Sequence, residues 1–380
     1  MTAKWFAAII GGGPAGGALA LRLSEAGARI LVFDGSHPRE KPCGGGFPGS
    51  LDQSWPFLRD FPEKRWFQGD RYYTTEKDRT FVLRKQYNSH PQVYVSRRSF
   101  DRALLRAAAD RGARWVQSHA IHISRSSGRW MILARNGETY TADFLVGADG
   151  AKSLVRQIMM GPFAPKDLIL AAGCRFPGAS LDRLHSVILP GGLAGFLVPG
   201  FSFAQAMVAG RPGSPVNRAV LDSFISRHAP FPGKREYFGG LLPMASGPRF
   251  FDPPRSDDRT FLIGDAAGFC NAQNGEGLPY AVEGALAAAE ALQSGRPGDY
   301  EPRWRETFGR ELIQGARKAG IKPPDFLMEG AAMLLGRSDA LTALAHRVAR
   351  GTGPQKPLEP WFRVLSRVPR EMLFGPSEEL

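Results

Sequence analysis

Cysteine is scarce in this sequence: Cys43, Cys174 and Cys270 stand far apart, with no C-x-x-C. An odd, scattered set excludes a disulfide framework, a zinc site and a dithiol redox motif, and no metal is expected; it suits a reducing cytoplasm. Long apolar runs are missing too. The longest stretch free of Asp, Glu, Lys and Arg lies between Arg183 and Arg211, and Pro190, Pro199 and several glycines break it. It reads as short buried strands and turns, so no membrane-spanning helix is expected. No internal repeat is visible. There is no nucleic-acid motif, so no nucleic-acid partner is expected. The start lacks the charged-then-apolar pattern of a targeting signal, and its first strand and glycine loop begin almost at once, which predicts a cytoplasmic protein. Acid is the minority charge: 36 Asp and Glu against 49 Lys and Arg, a formal +13. Spread along the chain, the surplus reads as an Arg-rich solvated surface; it also suits an acidic substrate, a phosphorylated cofactor or anionic lipid.

What is present is an ordinary globular composition, 43% hydrophobic and 22% charged over 380 residues. That length suffices for two domains, or for one α/β body with an insertion. Trp5–Ile10 is a short apolar run, a glycine loop follows, and Ala15–Ala26 is helix-like. Gly27 ends that helix and Arg29–Phe33 gives the next strand, a βαβ beginning. Phe47–Gln68, rich in Pro, aromatics and charge, reads as irregular, and Phe100–Ala109 has helical spacing. Short strands from Arg114 feed a buried strand, Phe144–Val146. A strand-like region over 168–254 reads as a second sheet. Phe261–Ile263 returns to a buried parallel-type strand, Gly277–Leu292 is a helix, and the remainder after Gly298 is mainly helical.

Three signals carry chemistry. Gly11-Gly12-Gly13-Pro14-Ala15-Gly16 is a G-x-G-x-x-G that follows a strand, opens a helix and precedes Asp34 at the end of the second strand. Gly11 permits the tight turn, Gly13 lets N–H groups approach a pyrophosphate, and Gly16 lets the helix pack on the sheet. Pro14 and Ala15 start the helix, whose N-terminus favours phosphates. Asp34 is placed to accept hydrogen bonds from a ribose. The other two signals are buried strands that end in an aspartate: Phe144–Val146 before Gly147-Ala148-Asp149-Gly150, and Thr260–Ile263 before Gly264-Asp265. Ligands in open α/β sheets lie beyond the carboxyl ends of strands, so both aspartates are expected in the crevice. Gly275 and Gly277 precede the last long helix, whose N-terminus can stabilise negative charge.

In this order the motifs resemble the flavoprotein family of para-hydroxybenzoate hydroxylase-like monooxygenases, flavin halogenases and geranylgeranyl reductases. The resemblance implies that the glycine loop and Asp34 bind the ADP part of FAD. It implies that Asp149-Gly150 supports the pyrophosphate region and is linked with NAD(P)H use, and that Gly264-Asp265 holds the ribityl chain and pyrophosphate. Ser96–Asp101 with Leu104 resembles the family's R-x-x-F-D-x-x-L, whose arginine lies near FAD and is placed here at Arg98. Lys41-Pro42-Cys43-Gly44-Gly45-Gly46 is similar to the reductases' C-G-G-G loop beside the isoalloxazine ring, with Cys43 as the one candidate reactive side chain; packing is its equal alternative. Tyr300, Trp304 and Phe308 resemble the reductases' segment after the last flavin motif. The reductases' P-x-x-Y-x-W-x-F-P survives here only as Phe196, in the tryptophan place, and Pro199; Ala194 replaces the tyrosine.

The expectation is an α/β fold: a Rossmann-type FAD-binding domain (1-70, 96-165 and 255-297), an inserted mixed β-sheet substrate domain (71-95 and 166-254) and a helical C-terminal region (298-380). FAD is the cofactor, with NAD(P)H or another donor as a transient reductant, since only one G-x-G-x-x-G is present. The reaction expected is reduction of a C=C bond in a small apolar, isoprenoid-like substrate. The alternatives are an FAD-dependent monooxygenase or halogenase-like enzyme acting on an aromatic or polyene substrate, and a non-catalytic flavin-binding protein. The apolar tail, Phe326–Met328, Ala331–Leu335 and Trp361–Val368 among arginines, reads either as a cap on the body or as a peripheral contact with anionic membrane.

Overall fold

The structure is a computed structural model that describes residues 5–74, 80–84, 91–228 and 231–318, with the backbone alone at Trp5 and over 70–74 and 80–84. The basic, apolar tail expected at a membrane lies outside the described residues.

Two sheets face one another across a long cavity. The first runs in the order Arg114–Val116, Ile30–Phe33, Trp5–Ile10, Thr139–Gly147, Arg129–Ala134, Ala120–Ser126, with Thr260–Leu262 beside Thr139–Gly147. The strands Arg114–Val116, Ile30–Phe33, Trp5–Ile10, Thr139–Gly147 and Thr260–Leu262 pair in parallel. They are covered on their faces, which is why they read as unbroken apolar runs such as Ile30–Phe33, buried at all four positions. Helix Pro14–Glu25 packs against both Arg97–Asp110 and Leu278–Gln293. The approach is close: a Cβ on Gly17 would stand 2.9 Å from the Leu104 side chain. The carboxyl ends of three adjacent parallel strands open onto Gly11, Asp149 and Asp265, the edge where α/β sheets bind ligands.

The second sheet runs Glu236–Pro243, Leu168–Pro177, Phe203–Gly210, Leu193–Pro199, Arg183–Leu189, Lys64–Thr74, Gln92–Val95, Gly46–Pro48, with Thr80–Arg84 beside Lys64–Thr74. It is antiparallel except where Arg183–Leu189 meets Lys64–Thr74. Two expectations need correction here. The segment 47–68 is ordered into a strand, helices Gly49–Ser54 and Pro56–Arg59, and the start of Lys64–Thr74. The second sheet therefore begins at Gly46, ahead of the expected boundary at 71. The aromatics that made this stretch read as irregular are its core: Trp55, Phe57 and Phe61 ring Phe100. Helix Arg218–His228 covers the far face of this sheet and leaves the other face to the cavity.

After Leu278–Gln293 the chain continues as one helix with a wide turn in it: Tyr300–Trp304, a π turn over Arg305–Gly309, then Arg310–Lys318. Tyr300 donates to Leu262 O at 2.7 Å, and Trp304 and Phe308 pack on Phe269, so these three aromatics are core. Arg255 is fully buried. Its guanidinium donates to the carbonyls of Ala267, Pro253 and Phe250 and lies over the Phe250 ring, tying down the loop that follows Gly264. Burial and the neighbouring Arg156 charge push it down to about 10, against the opposing charge of Glu301. None of the described helices is long and apolar enough to cross a membrane, and no described cluster of His, Cys, Asp and Glu is arranged to hold a metal.

Candidate active site

The strand Trp5–Ile10 ends at Gly11, with φ of +103° and a Cβ position 2.3 Å from Ala148 O. Only glycine fits there. A Cβ on Gly16 would come within 1.9 Å of Gly11 O, so the helix rests directly on the turn. Gly13 is different. A Cβ there meets nothing nearer than Arg97 Nη2 at 4.0 Å, because Gly13 faces the cavity. The helix that starts at Pro14 has no side-chain cap, and Pro14 and Ala15 line the same wall, so its first N–H groups are open to an anion.

Asp34 follows the second strand, as expected, and is 5% exposed. Its Oδ2 accepts from Gly12 N–H at 2.9 Å and its Oδ1 from Ser36 N–H at 2.8 Å. His37 Nε2 lies 3.3 Å away and Arg39 Nη1 3.4 Å away. Burial alone would raise this carboxyl. The hydrogen bonds from His37 and Ser36 and the Arg39 charge overcome it and hold Asp34 well below the usual carboxylate range. Asp34 thus ties the glycine loop to the second strand and keeps a full charge at the cavity wall.

Asp149 Oδ2 accepts from Leu154 N–H at 2.7 Å, while its buried Oδ1 has no hydrogen-bond partner among the described residues. Burial pushes this carboxyl up. Burial also pushes up Asp265, against the opposing charges of Lys41 and Arg97. Lys41, on the cavity wall, is pushed down by burial and by the Arg39 and Arg97 charges. Gly264 is a spacer: with φ of +56°, its Cβ position is 3.0 Å from Ala15 Cβ, which sets the strand end against the opening helix. Gly275 and Gly277 line the cavity, and Gly277 caps helix Leu278–Gln293 without any side-chain bond. That helix end also faces the cavity uncapped.

Arg98 is exposed and does not line the cavity, which corrects its assignment beside the flavin. The arginine three residues before Phe100 is Arg97, and that one is buried in the cavity wall. It makes a two-pronged pair with Asp101 at 2.9 and 2.8 Å. Burial opposes its charge, but Asp101 and the neighbouring Cys43 keep it firmly protonated. Cys43, Gly44 and Gly45 line the cavity. The loop passes between strands with no spare room: Cβ positions at Gly44, Gly45 and Gly46 fall 3.0 Å from Val198 Cγ1, 2.2 Å from Val95 O and 2.9 Å from the Tyr94 ring.

Beyond this loop the cavity runs along the second sheet. Ala194, Phe196 and Val198 face it, while Leu197 and Pro199 do not. Alternation decides this: residues of even number on Leu193–Pro199 point to the cavity, and a Cβ on Gly195 would strike the Phe224 ring on the opposite side. Phe196 is therefore in the pocket wall and Pro199, of the wrong parity, is not. One row across four strands is built of the smallest residues, since Gly240 pairs with Ala171, Ala171 with Ala209, and Ala209 with Ala194. All four line the cavity. They form the floor of a trough, with Met207 and Phe196 rising on one side. The whole cavity measures about 1610 Å³ and reaches from Asp34 to Glu311 and Lys318 on the last described helix. Sequence reasoning missed Lys41 and the row of small residues. It also missed a bridge in which Tyr94 donates to Gln92 at 2.8 Å and Gln92 to Glu276 at 3.1 Å. Nothing in the order of residues brings 92 to 276.

The comparisons agree with this geometry. The family described as lycopene cyclase protein matches residues 7–165, which include the glycine loop and Asp149. The digeranylgeranylglycerophospholipid reductase of Methanothrix thermoacetophila is 26% identical over 96% of this chain and 97% of its own length. A geranylgeranyl bacteriochlorophyll reductase-like protein of Thermoplasma acidophilum superposes with a TM-score of 0.69 at 21% identity, over 98% of each chain. The chain resembles the geranylgeranyl reductase and para-hydroxybenzoate hydroxylase-like flavoproteins. It is an FAD-dependent oxidoreductase. The fold extends to the monooxygenase branch: p-nitrophenol 4-monooxygenase of Pseudomonas putida superposes with a TM-score of 0.65 at 18% identity, over 94% of this chain and 100% of its own. The residues present fit FAD. Gly13 and the uncapped helix face open space, Asp149 keeps a buried oxygen unpaired, and cationic Lys41 and Arg97 stand midway along the groove.

Proposed function

We propose that this flavoprotein reduces C=C bonds of an elongated apolar, isoprenoid-like substrate, with NAD(P)H or another donor as the source of electrons. The observation that carries the reading is the continuous cavity: the charged groove of the first sheet opens, past Cys43–Gly46, onto a trough floored by Gly240, Ala171, Ala209 and Ala194. A floor of glycine and alanine between bulkier walls suits a slender hydrocarbon chain. The chemistry FAD supplies when bound is transfer of a hydride equivalent. The chain supplies the rest. Gly11–Ala15 and Asp34 hold the nucleotide end, the open end of Leu278–Gln293 and the cations of Lys41 and Arg97 stabilise negative charge midway, and the sheet aligns the substrate. The digeranylgeranylglycerophospholipid reductase relative supports the substrate class. With a single dinucleotide fingerprint, a nicotinamide donor binds transiently in the same cavity. An apolar substrate also favours a peripheral contact with anionic membrane.

The test is anaerobic. Protein loaded with FAD is reduced with NADPH or dithionite and mixed with geranylgeranyl diphosphate, and products are weighed by mass spectrometry. A gain of two hydrogens per double bond without O₂ supports the proposal. Products that form only with O₂ and gain oxygen would assign the chain to the monooxygenase alternative. Absence of turnover with every donor would favour a flavin-binding protein without catalysis.

A further inference from the structure

The loop over 41–46 has little of its own to hold it in place. Three of its residues are consecutive glycines, and it leads into the strand Gly46–Pro48 at the edge of the second sheet. Each alternate carbonyl is nevertheless taken. Arg175 Nη2 donates to Lys41 O at 2.9 Å, Gln205 Nε2 to Cys43 O at 3.1 Å, and Val95 N–H to Gly45 O at 3.1 Å. All three donors belong to the second sheet, Arg175 and Gln205 through their side chains. Arg175 and Gln205 are directly paired across strands Leu168–Pro177 and Phe203–Gly210, on the face that lines the cavity two and four residues further along. Arg175 is held in an aromatic clamp, 5.6 Å from the Phe203 ring centre and 4.9 Å from that of Phe238. Gln205 is completely buried.

Packing alone does not explain the choice. Gln205 Oε1 and Arg175 Nε are both buried without a hydrogen-bond partner among the described residues. Each side chain commits its hydrogen bond to the loop and leaves another polar atom dry, a cost that an apolar pair at these positions would avoid. Gln205 also lies two residues from Met207 and four from Ala209, which form wall and floor of the trough. We propose that Arg175 and Gln205 are positioning residues, a two-point latch that fixes the Cys43–Gly46 loop against the substrate sheet and so sets the distance between the flavin and the trough. The inference rests on the reading that this loop borders the flavin.

Cys43 reports on the latch without any substrate. It is half-buried, whereas Cys174 and Cys270 are 0% and 1% exposed, so a thiol reagent such as dithiobisnitrobenzoate reads Cys43 in the native protein. Gln205→Met preserves shape and Arg175→Met removes the other anchor. Each is expected to speed Cys43 modification by about tenfold, the order set by losing one hydrogen bond to a loop carbonyl. Each is also expected to shift the visible absorbance bands of bound FAD, which still binds through Gly13 and Asp34. Arg175→Lys, which keeps a cationic donor, should return both readouts most of the way to wild type. Rates within twofold of wild type in both methionine variants, with native circular dichroism and an unshifted flavin spectrum, would overturn the latch. Equal Cys43 rates with and without FAD in the wild type would overturn the flavin-side reading of the loop instead, and the variant rates would still decide whether the two side chains anchor it.

Discussion

The two ends of the cavity are built on opposite terms. At the first sheet the walls are backbone: Gly11 and Gly16 are pressed against main-chain oxygens, and Asp34 binds the loop N–H groups. Almost nothing there can change without moving a strand or a helix. At the second sheet the walls are side chains on a flat, alternating surface, and the floor is set only by how small Ala171, Ala194 and Ala209 are. The glycine-loop end is specified by exclusion of every residue but one, the end on the second sheet by volume. A fold arranged this way can keep one cofactor and exchange its substrates by single substitutions.

The sharpest way to break that contrast is Gly16→Val. Its Cβ would sit 1.9 Å from Gly11 O, a backbone atom that cannot step aside. The expected cost is about 3 kcal/mol or more, seen as loss of soluble folded protein or a large fall in thermal midpoint. Gly13→Val, three residues earlier, separates binding from folding. Its Cβ enters open space, so stability should stay within about 0.5 kcal/mol of wild type. FAD affinity should nevertheless fall by roughly a hundredfold, measured by fluorescence titration, as the side chain takes the place of the pyrophosphate. At the other end, Ala209→Phe should leave FAD affinity unchanged within about twofold and raise KM for an isoprenoid substrate by about tenfold, because it fills the middle of the trough. If FAD binding fell equally, the two ends would not be independent. The smallest effect belongs to Asp34. Its carboxyl sits below the ordinary value of 3.8 in the folded chain, so its stabilisation is complete above that pH and is lost as pH falls below it. Urea midpoints of wild type and Asp34→Asn should therefore converge on acidification below pH 3.8, by about 1 kcal/mol.

The same contrast explains what could be read beforehand. The place of the glycine loop, Asp34 and Asp265 on the cavity wall was legible because it depends on neighbours in sequence, with strand, turn and helix in one short stretch. The arginine was misplaced by one residue, to Arg98, although the spacing back from Phe100 and the helix face it shares with Asp101 both point to Arg97. Pro199 was expected in the pocket because a motif was matched as a string; the pleat of the strand sends Phe196 and Pro199 to opposite sides. The trough was invisible for a deeper reason. Gly240, Ala171, Ala209 and Ala194 meet only through strand register, and each alone is an unremarked small residue. The stretch over 47–68 misled because its aromatics serve Phe100, far along the chain, and so show no period of their own.

The wide turn at Arg305–Gly309 acts as a phase shifter. An α-helix advances about 100° per residue, and the wide turn takes up one extra residue, so the facing pattern after it is displaced by one position in sequence from the pattern before. Ahead of the turn, Tyr300 and Trp304 are aimed at the first sheet; beyond it, Glu311 meets Tyr280 and Asn271 and Gln314 and Lys318 look onto the cavity. A single helix thus serves two clients that lie on different sides of its axis. Deleting Thr307 would return the winding to its regular period and leave both the anchoring aromatics and the cavity-facing row near their present directions, because the wide turn absorbs one residue.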